Sequence, residues 1–261
     1  MRVFWAIILS FFTALCAYGE AINGGVEKRD IKTGRESQIL DAHTGSAVPY
    51  ANVTIPQKQY RTKTDEDGKF ELGTKINAPT IMSVQKEGYK PYSLTLNSES
   101  NGKPIIVGIE KTTPKDVIIE TDMIHLGDDS YSENSANAGE FAVRSSGPFY
   151  SKDFNIKFIN NEENAYLRLG SVIGIDSLMA RELGQTKVTT AYANPPQVFC
   201  NGNKIAEIKI NGDGQEIRIP RSVVRQGQMN DITIKAGKNM MQTTYVDYDD
   251  IEFTNLLIEI K

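Results

Sequence analysis

Residues 51–72 read ANVTIPQKQYRTKTDEDGKFEL. From Ala51 to Ile55 apolar and polar side chains alternate, as they must on a half-buried strand, and Tyr60–Lys63 forms a second short run. Asp65-Glu66-Asp67-Gly68 then makes a tight connection into Lys69–Leu72. Asp bonds its own backbone in such a turn, and Gly accepts positive φ. Outward from this stretch the texture persists. Short runs rich in Val, Ile, Thr, Phe and Tyr are broken by turn signals about every eight to twelve residues, the spacing of sandwiches and barrels. Toward the N-terminus a strand is expected at Ser37–Leu40. Further on, strands are expected at Thr80–Lys86, Tyr92–Leu96, Ile105–Glu110 and Asp116–Glu120. A second series follows at Phe154–Phe158, Ala165–Leu169, Gln197–Cys200, Ile205–Ile210, Glu216–Pro220, Ile232–Lys235 and Ile251–Ile260. Helical periodicity is confined to Ile175–Leu183. The expected fold class is all-β, with two β-sandwich domains.

The chain has 261 residues, 39% of them hydrophobic and 24% charged, an ordinary globular composition with room for two modest cores. Net charge is -4, and the 29 Lys+Arg are scattered among 33 Asp+Glu. No basic stripe supports a nucleic-acid partner. Arg2 precedes the apolar run VFWAIILSFFTALCA at residues 3–17, and Ala17-Tyr18-Gly19 places small residues at the -3 and -1 positions of a leader peptidase site. This layout predicts a signal peptide over 1–19, a flexible lead-in over 20–34, and a secreted, periplasmic or cell-surface protein with no membrane span after cleavage. Cys16 follows Leu15, where a lipidation signal wants a small residue. Cleavage leaves Cys200 as a lone thiol on an apolar run, where a buried hydrophobe is expected.

The first series carries Asp41-x-x-Thr44-Gly45, Pro49-Tyr50-Ala51-Asn52-Val53, Thr64-Asp65-Glu66-Asp67-Gly68-Lys69-Phe70 and Gly88-Tyr89-Lys90. In that order and spacing, residues 35–121 resemble a carboxypeptidase regulatory-like domain, a Greek-key sandwich of the prealbumin-like kind. Ser37 and Ile39 stand where the family's opening Gly and Val would be. The resemblance implies an accessory module without activity of its own.

The second series carries Asn201-Gly202 after an apolar strand, Ile217-x-Ile219-Pro220, Gly227-x-Met229-Asn230-Asp231-Ile232-Thr233-Ile234, Ala236-Gly237 and Asp247-Tyr248-Asp249-Asp250-Ile251-Glu252-Phe253. Here residues 122–261 resemble the galactose-binding-like jelly rolls of carbohydrate-binding modules. That family hosts enzyme accessory modules, lectins and structural domains, so the resemblance implies the fold more than a function. The link at about Glu120–Asn137 is polar and Ser/Asn-rich, so some freedom between the two domains is expected.

Two acidic clusters are candidates for one structural calcium site: Asp128 and Asp129 near the start of the second domain, and Asp247, Asp249 and Asp250 near its end. A hard cation takes six to eight oxygens, so clustered carboxylates with carbonyls suit it. Asp65, Glu66 and Asp67 lack the alternate spacing of an EF-hand and are explained by their turn. A sugar site needs an aromatic platform. Tyr131, Phe149, Tyr150, Tyr192 and Tyr245 lie in loop or strand-edge sequence, and the four tyrosines are the candidate ligand-binding residues. Catalytic machinery is not apparent: His43 and His125 are the two histidines, and no zinc-protease helix, nucleophile elbow or phosphate loop is present. The expected function is non-catalytic binding of a glycan or surface polymer by the second domain; the alternative is an envelope assembly protein that binds protein partners.

Overall fold

The computed structural model of the chain describes residues 36–189, 193–241 and 244–261; the expected signal peptide, the lead-in and Tyr192 lie outside them. Strands β1 (Ser37–Asp41), β2 (Asn52–Ile55), β3 (Tyr60–Lys63), β4 (Lys69–Phe70), β5 (Thr80–Gln85), β6 (Tyr92–Leu96) and β7 (Ile106–Ile109) build the first sandwich. Its sheets run β4-β1-β7, with β1 parallel to β7, and β3-β2-β5-β6. Alternation along β1, β2 and β7 sends Ile39, Val53, Ile55, Val107 and Ile109 into one core, where Met82 and Val84 of β5 meet them. A fully buried side chain of this size stabilises by about 1.5–3 kcal/mol.

The quoted turns hold this sandwich closed. Thr64 Oγ1 donates to the Val48 carbonyl and accepts from Ala51 N–H, both at 2.8 Å. Asp65 Oδ1 accepts from the N–H groups of Asp67 and Lys69, so this carboxylate is spent on the turn. Gly68 has φ +71°, and a Cβ there would lie 2.6 Å from the Ile39 carbonyl, so the turn needs glycine both for its φ and for clearance.

The second sandwich uses β8 (Val117–Glu120), β9 (Ile124–Leu126), β10 (Phe149–Asn155), β11 (Ala165–Ile173), the short helix α1 (Leu178–Glu182), β12 (Gln197–Cys200), β13 (Asn203–Glu207), β14 (Gly212–Ile219), β15 (Met229–Lys235) and β16 (Ile251–Ile260). One sheet runs β10-β15-β12-β13. The other runs β14-β11-β16-β8, with β9 also paired to β16. Leu167, Leu169, Val198, Ile232, Ile234, Phe253 and Ile258 fill the space between them. Cys200 is fully buried there, and burial pushes its thiol up to about 11. Among the described residues no helix is long and apolar enough to cross a membrane.

The structure departs from the strand expectations most in three places, besides the shift of Ile205–Ile210 to β13 and the earlier start of β14. Val117–Glu120 reads as the last strand of the first series but pairs with β16. Its short apolar run satisfies either sheet, and only the partner strand decides. The polar stretch after Thr121 contains β9, whose central residue is the buried His125. The strand expected at Phe154–Phe158 lies earlier, at β10, so Phe158 is exposed.

All ten residues of β16 are buried. One face meets the core; the other, with Glu252, Thr254, Asn255 and Glu259, is polar. Asn255 Nδ2 donates to Ser83 Oγ of β5 at 3.0 Å, and Lys90 donates to Glu259 at 2.9 Å. Nearby, Ser171 Oγ donates to Ser93 Oγ at 2.9 Å, and Asp213 accepts from both the N–H and the hydroxyl of Thr95. Gly170 lets β6 lie close: a Cβ there would fall 2.4 Å from Ser93 Oγ. The two sandwiches therefore share a hydrogen-bonded face and, within Gly34–Lys261, form one compact unit.

Candidate functional site

Asp250 is the anchor of the site. It immediately precedes β16, and two glycines open the space it fills. A Cβ on Gly127 would lie 2.3 Å from Asp250 Oδ1, and one on Gly174 would lie 2.4 Å from the Asp250 carbonyl. Both have positive φ, +145° and +93°. Asp250 Oδ1 accepts from Asp129 N–H at 2.8 Å and lies 2.8 Å from His125 Nε2. The other ring nitrogen, Nδ1, is 2.6 Å from the Val143 carbonyl. Behind it Glu252 Oε1 accepts from the N–H groups of Ala142 and Val143 and sits 3.6 Å from Nδ1. With acceptors facing both nitrogens, the Nε2–Asp250 contact needs a proton between its two atoms.

Next to Asp250 opens a pocket of about 310 Å³, lined by the carboxylates of Asp176, Asp247, Asp249 and Asp250 and by Tyr131 and Tyr248. Asp176 is set by Ser135 Oγ and by Ala136 N–H at 2.9 Å. Its own N–H donates to Asp249 Oδ2 at 3.2 Å. Asp247 Oδ2 accepts from Asn239 Nδ2 at 2.8 Å. Asp128 Oδ2 accepts from Tyr248 N–H at 3.0 Å, which ties the early acidic loop to the late one. Asp250 Oδ2, on a residue 1% exposed, and Asp247 Oδ1 are buried with no hydrogen-bond partner among the described residues. No lysine or arginine among the described residues lines the pocket.

The electrostatic consequence is direct. Burial pushes the Asp249 carboxyl well above the usual carboxylate range, and the charges of Asp176, Asp250 and Asp247 add to the push. Burial likewise raises Glu252. For His125, burial opposes the charged ring, but the Asp250 carboxylate, the Val143 carbonyl and Glu252 outweigh it, and the pKa is raised. Among the described residues no cationic side chain lines the pocket to offset these charges.

The structure thus brings Asp128, Asp129, Asp247, Asp249 and Asp250 to one end of the second sandwich, and adds His125 and Asp176. Ligand atoms of His125, Asp129 and Asp250 lie within 4.8 Å of one another. Tyr131 stands at the pocket wall, edge-on to Phe141 at 4.8 Å. Tyr245 is 60% exposed. Tyr150 points inward: its ring meets Phe253, and its hydroxyl lies 3.3 Å from Glu120. The exposed aromatic of that strand is its neighbour Phe149, because alternation puts one of any adjacent pair outside. Tyr192 falls outside the described residues. His125 and Asp176 carry no local signal in the sequence; each is isolated, and only the fold delivers them to Asp250 and Asp249.

The first sandwich is a β-sandwich module whose Asp41, Thr64 and Asp65 side chains are hydrogen-bonded within its turns. Residues 36–119, which span the first sandwich, match the family model of the CarboxypepD_reg-like domain. The match ends inside β8 and does not extend over the second sandwich. No curated protein matches the chain.

Proposed function

We propose that the protein is a non-catalytic binding protein of the extracytoplasmic space. In this reading the second sandwich is a galactose-binding-like jelly roll that holds a calcium ion at its acidic end and recognises a carbohydrate or surface polymer. The CarboxypepD_reg-like sandwich is its rigid accessory. The observation that carries the reading is the pair of buried carboxylate oxygens on Asp247 and Asp250 that have no partner among the described residues, in a pocket that no described cationic side chain lines, which suits a hard cation with oxygen ligands. The His125 ring supports a non-catalytic role, since both its nitrogens face the Val143 carbonyl and Asp250 rather than a nucleophile. Pull-down on immobilised polysaccharides, with calcium and with chelator, tests it: retention that chelator abolishes supports the reading. A second reading, an envelope assembly protein, draws on the exposed Met240, Met241, Tyr245 and Val246 beside Asp247. Uniformly negative glycan binding with a stable protein complex recovered from the envelope favours that one.

A further inference from the structure

On the far side of Tyr248 from the acidic pocket lies a groove of about 570 Å³. Its floor is a row across three strands of one sheet face, Phe149 opposite Lys235 and Lys235 opposite Gln197. At the strand spacing of a sheet this row is about 10 Å wide. Phe149 is 59% exposed. Lys235 Nζ sits 4.6 Å from the Phe199 ring centroid and Lys238 Nζ 5.6 Å from that of Tyr248. Both lysines are exposed, and neither has a carboxylate partner among the described residues. Pro148 and Pro195 complete the walls.

We propose that this groove binds an acidic saccharide, a uronate-containing glycan, with Phe149 stacking on a sugar ring, Gln197 bonding hydroxyls, and Lys235 and Lys238 taking the carboxylate. The proposal rests on the carbohydrate-binding reading above and names the substrate class. The unpaired lysines favour an anion over a neutral glycan. The chain's net charge of -4 and the acidic pocket behind Tyr248 disfavour a polyanion as dense as nucleic acid. The groove is also wired to the acidic pocket: Asn239 N–H donates to the Asp247 carbonyl at 2.8 Å and Asp249 N–H to the Gly237 carbonyl at 3.0 Å.

The test is calorimetry on the full chain with galacturonate, mannuronate and glucuronate oligosaccharides, each beside its methyl ester, which keeps the sugar and removes the charge. Binding of an acid at least tenfold tighter than its ester is expected. It should fall at least tenfold in Lys235→Ala/Lys238→Ala and in Phe149→Ala, survive in Lys235→Arg/Lys238→Arg, and leave the melting temperature unchanged. Esters binding as tightly as acids overturn the anionic assignment while sparing the carbohydrate reading. Acid binding indifferent to the groove variants overturns the location. Binding of neither acids nor esters overturns the proposal, and the pull-down on neutral polysaccharides then decides the broader reading separately.

Discussion

His125 Nε2 and Asp250 Oδ1 lie 2.8 Å apart, both fully buried, at the start of the strand that joins the two sandwiches. His125→Ala removes the ring partner of Asp250 in the interior and leaves Oδ1 with the Asp129 N–H alone. Removing one partner of a buried pair costs about 3–5 kcal/mol. A urea midpoint within error of the parent would mean that the pair contributes nothing. The pH dependence has a definite sign. A histidine with a raised folded pKa contributes stability that is full below its unfolded value near 6.5 and is lost as pH rises through the higher folded value. In the absence of divalent cation, the parent should weaken above neutrality more than His125→Ala does.

Asp249 behaves in the same direction for the opposite chemical reason. Its folded pKa lies well above the ordinary 3.8, so the native state holds a proton that the unfolded chain releases. Stability tied to this group is full below 3.8 and falls as pH rises through the folded value. Asp249→Asn removes that loss. It should raise the metal-free melting temperature at pH 7 and diminish the response to calcium; a variant less stable than the parent in chelator contradicts the electrostatic assignment.

Asp41 has the reverse sign. Thr44 N–H lowers its pKa, burial works against this, and His43 N–H and the Tyr89 hydroxyl lower it further. Its contribution is present above the unfolded 3.8 and lost as pH falls through the depressed folded value. Asp41→Ala should therefore lower the denaturation midpoint at pH 7 and flatten the acid limb of the stability curve, read by urea titrations from neutral to strongly acidic pH.

Gly127→Ala and Gly174→Ala put a Cβ within 2.4 Å of Asp250 atoms at positive φ. Strain of this kind costs about 1–3 kcal/mol. Gly45→Ala shares positive φ but meets nothing within 4 Å, so it serves as the control. Calorimetric melts should order the three with Gly45→Ala mildest.

Gly170→Ala places its Cβ 2.4 Å from Ser93 Oγ and 2.7 Å from Asn255 Cβ. Overpacking costs about 1–3 kcal/mol, and here it falls on the face between the sandwiches. Limited proteolysis should become faster at the connection near Thr121, whereas an unchanged digestion pattern would place the joint elsewhere.

Much of this was legible in the sequence because strand alternation and turn chemistry are local. Tyr92–Leu96, Gln197–Cys200 and Ile251–Ile260 fall where the pattern puts them, and the Asp41, Thr64 and Gly68 turns do the work their residue types suit. The acidic clusters at 128–129 and 247–250 were legible as a pair because the jelly-roll resemblance implies that the first and last strands meet. His125 and Asp176 were not, since isolated polar residues look like any surface residue until the fold buries them. The joint between the sandwiches was hidden for a related reason. Ser83, Ser93, Ser171, Thr254 and Asn255 are small polar side chains that alternation assigns to solvent, and another sheet face takes the place of water. The strand β8 reads equally well for either sheet, so its exchange is decided by β16 alone.

Thermal unfolding of the full chain at pH 7, in millimolar calcium and in chelator, tests the acidic pocket most directly. Calcium at a hundredfold its dissociation constant stabilises by about 2.7 kcal/mol, which for a protein of this size corresponds to a rise of about 5–10 °C. That rise, reduced in Asp249→Asn, is the expected result; superimposable melts in calcium and chelator would contradict the site.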